Sequence, residues 1–132
     1  MQIHVGTHIM FQGKAREAIA FYQRVFPDFV IKDLIDPLSG ETDSLTASYR
    51  ADISFAGHRL VIIDSPPVHD FDLTPSASLL VDFVDRATLD LTFEKLAQGG
   101  EVCMPLGDYG FSRRFGWVSD RFGLSWQLNL PS

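Results

Sequence analysis

One cysteine, Cys103, stands among 132 residues, so an intramolecular disulfide is excluded, and its setting in Glu-Val-Cys-Met-Pro reads as strand rather than as a reactive thiol site. Basic charge is also scarce. Eleven Lys and Arg against 17 Asp and Glu leave a net charge of −6, which repels a phosphate backbone and argues against nucleic acid as a partner. The nearest approach to a basic cluster, Arg113-Arg114 with Arg121 further on, is read as solvated loop. Long apolar runs are missing too: nothing reaches the ~20 residues of a membrane helix, and MQIHVGTHIMF has no basic segment ahead of an apolar signal core. A cytoplasmic protein with no membrane partner is the expectation. No Gly-x-Ser-x-Gly is present, so covalent hydrolysis has no support. What the chain does have is a 45% hydrophobic content, enough to build the core of a single domain spanning residues 1–132.

The stretch from Pro105 to Leu130 organises that domain. Phe115, Trp117 and Ser119 alternate with Gly116 and Val118, Asp-Arg-Phe-Gly at 120–123 supplies a turn, and a second alternating run passes through Leu124, Trp126 and Leu128. This predicts a C-terminal β-hairpin with a large aromatic face, suited either to closing a core or to lining a ligand cavity.

Ahead of it the pattern changes period in a regular order. Alternation from Ile3 to Phe11 predicts a strand. Ala15, Ala18, Ile19, Tyr22, Val25 and Phe26 then fall at helical spacing over 14–26, until Pro27 stops the helix. Phe29–Ile35 is a strand, 36–41 a turn-rich loop, and Leu45–Phe55 and His58–Ile63 form two strands around Ala56-Gly57, the spacing of a tight hairpin. Asp64-Ser65-Pro66-Pro67 ends this half, since paired prolines lack ladder donors. After the connector Val68–Pro75 the same order returns: a strand over Ser76–Phe83, a helix over 86–98 capped by Asp85 and stopped at Gly99-Gly100, a strand over Val102–Leu106, and the aromatic hairpin. The chain is read as an internal duplication of a βαβββ unit, module one at about 1–65 and module two at about 75–132, with the hairpin turn at Gly57 answered at Gly123.

This duplication, with MFQGKAREAIAFYQRVFP near the start and GWVSDRFGLSWQLNL at the end, resembles the PhnB-like branch of the vicinal oxygen chelate superfamily, which includes glyoxalase I, extradiol dioxygenases and the fosfomycin and bleomycin resistance proteins. The resemblance implies an α+β fold of two tandem βαβββ modules forming curved mixed sheets around a cavity, assembled as a homodimer. In metal-dependent relatives a divalent ion is held by the first and last strands of each module. Carried over, those positions give His8 or Thr7, Val61 or its apolar neighbours, Ser76 and Ser78, and Gln127, a poor divalent site. A divalent metal stays open, with no cofactor as the first expectation. Such sequences often carry a methyltransferase label. A doubly wound methyltransferase would place a glycine-rich loop between its first strand and helix, whereas Gly99-Gly100 follows a helix.

The resemblance and these residues together imply three alternative functions. The first is binding of a small, partly aromatic molecule between the modules, with no catalytic metal. The residues implied are His8, Met10, Trp117 and Gln127, with His69 from the acidic connector and Tyr109 from a loop suited to a lid. The second is a metal-dependent lyase, isomerase or dioxygenase of the glyoxalase type; an enzyme has only His8, His69 and Asp64 as an acid-base inventory. The third is a protein interaction module using the aromatic hairpin. Adjacent residues of a strand face opposite ways, so of Trp126 and Gln127 only one lines a cavity, and the carried-over position selects Gln127.

Overall fold

Each of the two patterns that run strand, helix, strand, strand, strand folds into a four-stranded mixed sheet with one helix. The computed structural model describes residues 2–38 and 48–132, and the chain divides into the units Met1–Asp70 and Phe71–Ser132. The first contains β1 (Thr7–Phe11), α1 (Ala15–Val25), β2 (Phe29–Ile35), β3 (Arg50–Phe55) and β4 (His58–Asp64), in sheet order β1-β4-β3-β2. The second contains β5 (Leu79–Asp82), α2 (Arg86–Ala97), β6 (Glu101–Gly107), β7 (Arg114–Ser119) and β8 (Ser125–Leu130), in sheet order β5-β8-β7-β6. In each sheet the first strand pairs parallel with the last, and the other pairings are antiparallel. The fold is therefore α+β with the βαβββ unit used twice.

In the first unit α1 buries Ala15, Ala18, Ile19, Phe21, Tyr22 and Val25. On one face of the sheet Ile9, Phe11, Phe29, Ile53, Phe55, Leu60 and Ile62 are buried as well. Tyr22 packs on Phe29 with centroids 5.5 Å apart, and Phe26 meets Phe55 edge-on at 4.9 Å. Phe26, ahead of Pro27, is extended (φ −124°, ψ 114°), as the proline ring requires. The β3–β4 hairpin turns through Ala56 and Gly57, both at positive φ (48° and 85°), so the twist of the turn matches that of its strands.

In the second unit Leu89, Phe93 and Leu96 of α2 are buried, as are Val118, Trp126 and Leu128 of the sheet. Asp85 caps α2, accepting from the Thr88 amide at 2.8 Å. The turn of the aromatic hairpin is anchored by Asp120, whose carboxylate accepts from the amides of Phe122 (2.8 Å) and Leu124 (3.1 Å) and from Trp126 Nε1 (2.9 Å). Gly123 in that turn has φ 88°.

Two strands start later than the alternation predicts. β1 begins at Thr7 rather than Ile3, and Ile3 and Val5 are 71% and 80% exposed. Pairing starts at Thr7↔Leu60, and β4 itself begins only at His58, so the partner runs out just upstream. β5 begins at Leu79 rather than Ser76, because its ladder follows β8 from Trp126. In β3 the described strand starts at Arg50. The expected start at Leu45 and the end of the 36–41 loop lie outside the described residues.

Candidate functional site

Register decides which side chains each sheet turns away from its helix. In the second unit Gly116 lies under Phe93 of α2, so Gly116, Val118, Trp126 and Leu128 face the helix. Alternation then sends Phe115, Trp117 and Gln127 to the other face, with Leu80 beside Gln127. Trp126 is fully buried on the helix side while Gln127 is partly accessible. The expected opposition of these two neighbours holds.

On this helix-free face four polar groups form one chain. Trp117 Nε1 donates to Ser125 Oγ at 2.8 Å, Ser125 and Ser78 hydroxyls lie 2.6 Å apart, and Gln127 Nε2 donates to Ser78 Oγ at 3.4 Å. Trp117 and Gln127 are directly paired across β7 and β8. The network holds the indole and amide in place and leaves the carbonyl oxygen of Gln127 without a hydrogen bond among the described residues. Tyr109 joins the same side through Phe115: its ring meets Phe115 edge-on at 6.0 Å, and Phe111 does so at 4.9 Å. The Tyr109 hydroxyl donates to the Pro105 carbonyl at 2.5 Å. Ser125 is the member of this network that sequence reasoning missed. It sits between Leu124 and Trp126 in the second alternating run, and only the cross-strand geometry brings it to Trp117 and Ser78.

In the first unit Ile9 and Phe11 are buried under α1, whereas His8 and Met10 share the opposite face next to Val61 and Ile63. Arg59 and Asp52 form an ion pair at 2.8 Å. The Arg59 guanidinium beside Asp52 holds that carboxyl below the usual range. His69 lies elsewhere, its backbone amide donating to Gln12 Oε1 at 3.1 Å. Asp64 sits at the end of β4 and accepts from the amides of Gly13 (2.7 Å) and Ala15 (3.4 Å), so it serves the N-terminus of α1, whose own N-cap, Lys14, makes no side-chain cap bond. Asp64 is in register with Phe11 and so lies across the sheet from His8. The acid-base inventory read from the sequence does not converge.

The metal positions carried over from relatives need one correction. Ser76 and Ser78 precede β5, and the register that sets His8 beside Val61 sets Leu80, not a serine, beside Gln127. One imidazole, one amide and two hydrocarbon side chains do not suit a divalent cation. Among the described residues no group of three or more His, Cys, Asp or Glu side chains is placed to hold a metal ion. No helix among the described residues is long and apolar enough to cross a membrane.

The duplicated modules and their sheet topology define the fold of the glyoxalase/bleomycin resistance/dioxygenase proteins. The structure of such a domain from Frankia sp. EAN1pec, 15% identical, superimposes with a TM-score of 0.69 over 100% of this chain and 99% of that one. The chain belongs to the PhnB-like family described as 3-demethylubiquinone-9 3-methyltransferase, whose model matches residues 4–129. A PhnB protein from Bacillus cereus carrying the same description is 37% identical, with a TM-score of 0.83 and coverage of 97% of this chain and 99% of its own. Protein YjdN of Escherichia coli (strain K12) is 24% identical over 139 residues, covering 96% of this chain and 94% of its own.

Proposed function

We infer that the protein binds a small, partly aromatic molecule on its helix-free sheet faces, without a catalytic metal, and that it does so as a homodimer. The observation that carries this reading is the network Trp117–Ser125–Ser78–Gln127. It spends polar bonds on fixing an indole and an amide at a partly accessible face, and one carbonyl acceptor is left for a ligand donor. A ring laid against Trp117 and Leu80 while donating to Gln127 Oε1 satisfies both the apolar and the polar part of that face. His8 and Met10 lie on the helix-free face of the first unit, and Tyr109 lies beside the aromatic wall of the second.

The hairpin favours this reading over a docking surface for another protein. Trp126 is fully buried, Phe115 is 7% exposed, and Trp117 is half-buried, so the hairpin's aromatics do not form a broad exposed patch. The methyltransferase name belongs to the family's description. Here a single glycine, Gly13, lies in the link between β1 and α1, where a doubly wound methyltransferase needs a glycine-rich loop.

The reading is tested by screening an aromatic metabolite library by thermal shift and measuring each hit on the wild type and on Gln127→Ala, Trp117→Phe and His8→Ala. At least tenfold weaker binding in Gln127→Ala or Trp117→Phe, with unchanged circular dichroism, is expected. Equal affinity in all three variants overturns the site. Sedimentation velocity at micromolar concentration checks the dimer, and a single monomer boundary overturns that part.

A further inference from the structure

On the other side of the first sheet, away from His8 and Met10, lies a pocket of about 280 Å3 lined by Arg16, Pro37, Leu38, Tyr49, Asp64 and Pro66, among others. Its polar groups are held from several elements. Arg16, from the first turn of α1, stacks on the Tyr49 ring with its Cζ 4.8 Å from the centroid, and forks onto both carboxylate oxygens of Asp36. Asp64 spends Oδ1 on the amides of Gly13 and Ala15 and leaves Oδ2 without a hydrogen bond among the described residues. Tyr49 is only 6% exposed, yet its hydroxyl makes no hydrogen bond among the described residues. Among the described residues no fully enclosed side-chain polar atom lacks a partner, so this hydroxyl is not sealed off, and Tyr49 lines the pocket. A phenol buried to that degree without a bond is costly unless something in the pocket satisfies it.

The chemistry of the ligand follows from the charges. Arg16 contributes +1, Asp36 and Asp64 −1 each, and the N-terminus of α1 roughly half a positive charge, so the pocket is close to balanced. A phosphate or carboxylate would meet the Asp64 carboxylate in the wall and an arginine already paired with Asp36, and an ammonium would meet a guanidinium and a helix N-terminus. A hydroxyl group both donates and accepts, which suits an unpaired carboxylate oxygen, a phenol and the three guanidinium N–H groups that Asp36 does not take. Burial raises the Tyr49 phenol above its ordinary value, so it remains a donor throughout the physiological range. Pro37, Leu38 and Pro66 supply an apolar wall for the C–H face of a small carbon skeleton.

We propose that this pocket is a second binding site, separate from the helix-free face, for a small neutral polyhydroxylated molecule that bridges Asp64 Oδ2 and the Tyr49 hydroxyl. The test is a 1H–15N titration of the full chain with myo-inositol, inorganic phosphate and ethylamine as three probes. Saturable shifts at Gly13, Ala15, Tyr49 and Ser65 with myo-inositol, weakened at least fivefold in Tyr49→Phe, are expected. Should Tyr49→Phe not fold, Asp64→Asn gives the same reading, since it keeps one cap oxygen and replaces the unpaired one by an amide. Absence of saturable shifts with myo-inositol, a stronger response to phosphate or ethylamine, or undiminished binding in the folded variant overturns the proposal.

Discussion

Trp126 donates its indole N–H to Asp120 Oδ2 at 2.9 Å, tying the last strand to the turn that precedes it. Asp120 is 4% exposed and also accepts from the amides of Phe122 and Leu124, so its carboxylate organises the whole hairpin turn. Replacing it by alanine leaves three donors without their acceptor in a buried setting. Asp120→Ala is expected to cost about 3 kcal/mol or more, measured as a drop in the urea midpoint, with Asp120→Asn intermediate because one acceptor oxygen remains. A loss below 1 kcal/mol, on the order of an ordinary surface substitution, would show that the turn holds without this anchor.

The second helix is fitted to its sheet through Gly116. A Cβ at that position would stand 2.6 Å from the Phe93 ring and 2.8 Å from Leu106, closer than packed carbons tolerate. Gly116→Ala should therefore destabilise by about 1–3 kcal/mol. Adding Phe93→Leu, which removes the clashing ring, should recover part of that loss. Chemical denaturation of the two single variants and the double variant measures the coupling.

Features set by local spacing were legible in the sequence. The stripe Ala15, Ala18, Ile19, Tyr22 is buried, Asp85 caps α2 through a residue three positions on, and the turn glycines Gly57 and Gly123 have positive φ. The opposition of Trp126 and Gln127 was legible for the same reason, since strand alternation needs no tertiary information. What the pattern missed depends on partners far away in the chain. Asp64 reads as the first residue of a turn, but it completes a helix that starts about fifty residues earlier, with contacts at separations of 51 and 49. Leu80 takes the place assigned to a serine because register with β8, not alternation within 76–83, fixes where β5 begins. The Arg16–Tyr49–Asp64 pocket combines three elements and has no sequence signature.

The role of Asp64 can be separated from ligand binding. Its carboxylate replaces a local cap on α1, and loss of a helix cap typically costs about 0.5–2 kcal/mol. Asp64→Ala should fall within that range and should raise amide exchange in the first turn of α1, near Gly13 and Ala15, without affecting α2. Protection that is unchanged at those amides would remove the capping role.

Acid should weaken the first unit through Asp36. The Arg16 guanidinium, forked onto this carboxylate, holds it below the ordinary value, helped by the Leu38 amide. A carboxyl with a depressed native pKa binds protons more readily in the unfolded chain, so its stabilisation is complete above the ordinary carboxylate value of ~3.9 and is lost as pH falls through the lower native value. Asp36→Asn removes the charge but keeps the size. At pH 7 the wild type should therefore be the more stable of the two. The gap should stay level down to about pH 5, narrow below about pH 4 and close in stronger acid. Asp52 and Asp85 are depressed in the same direction by Arg59 and Thr88. Both proteins should therefore lose stability over this range, and only the difference between them reports Asp36. Urea unfolding from pH 7 to pH 2.5 measures it, and a gap that widens toward acid would reverse the sign assigned to the Arg16–Asp36 pair.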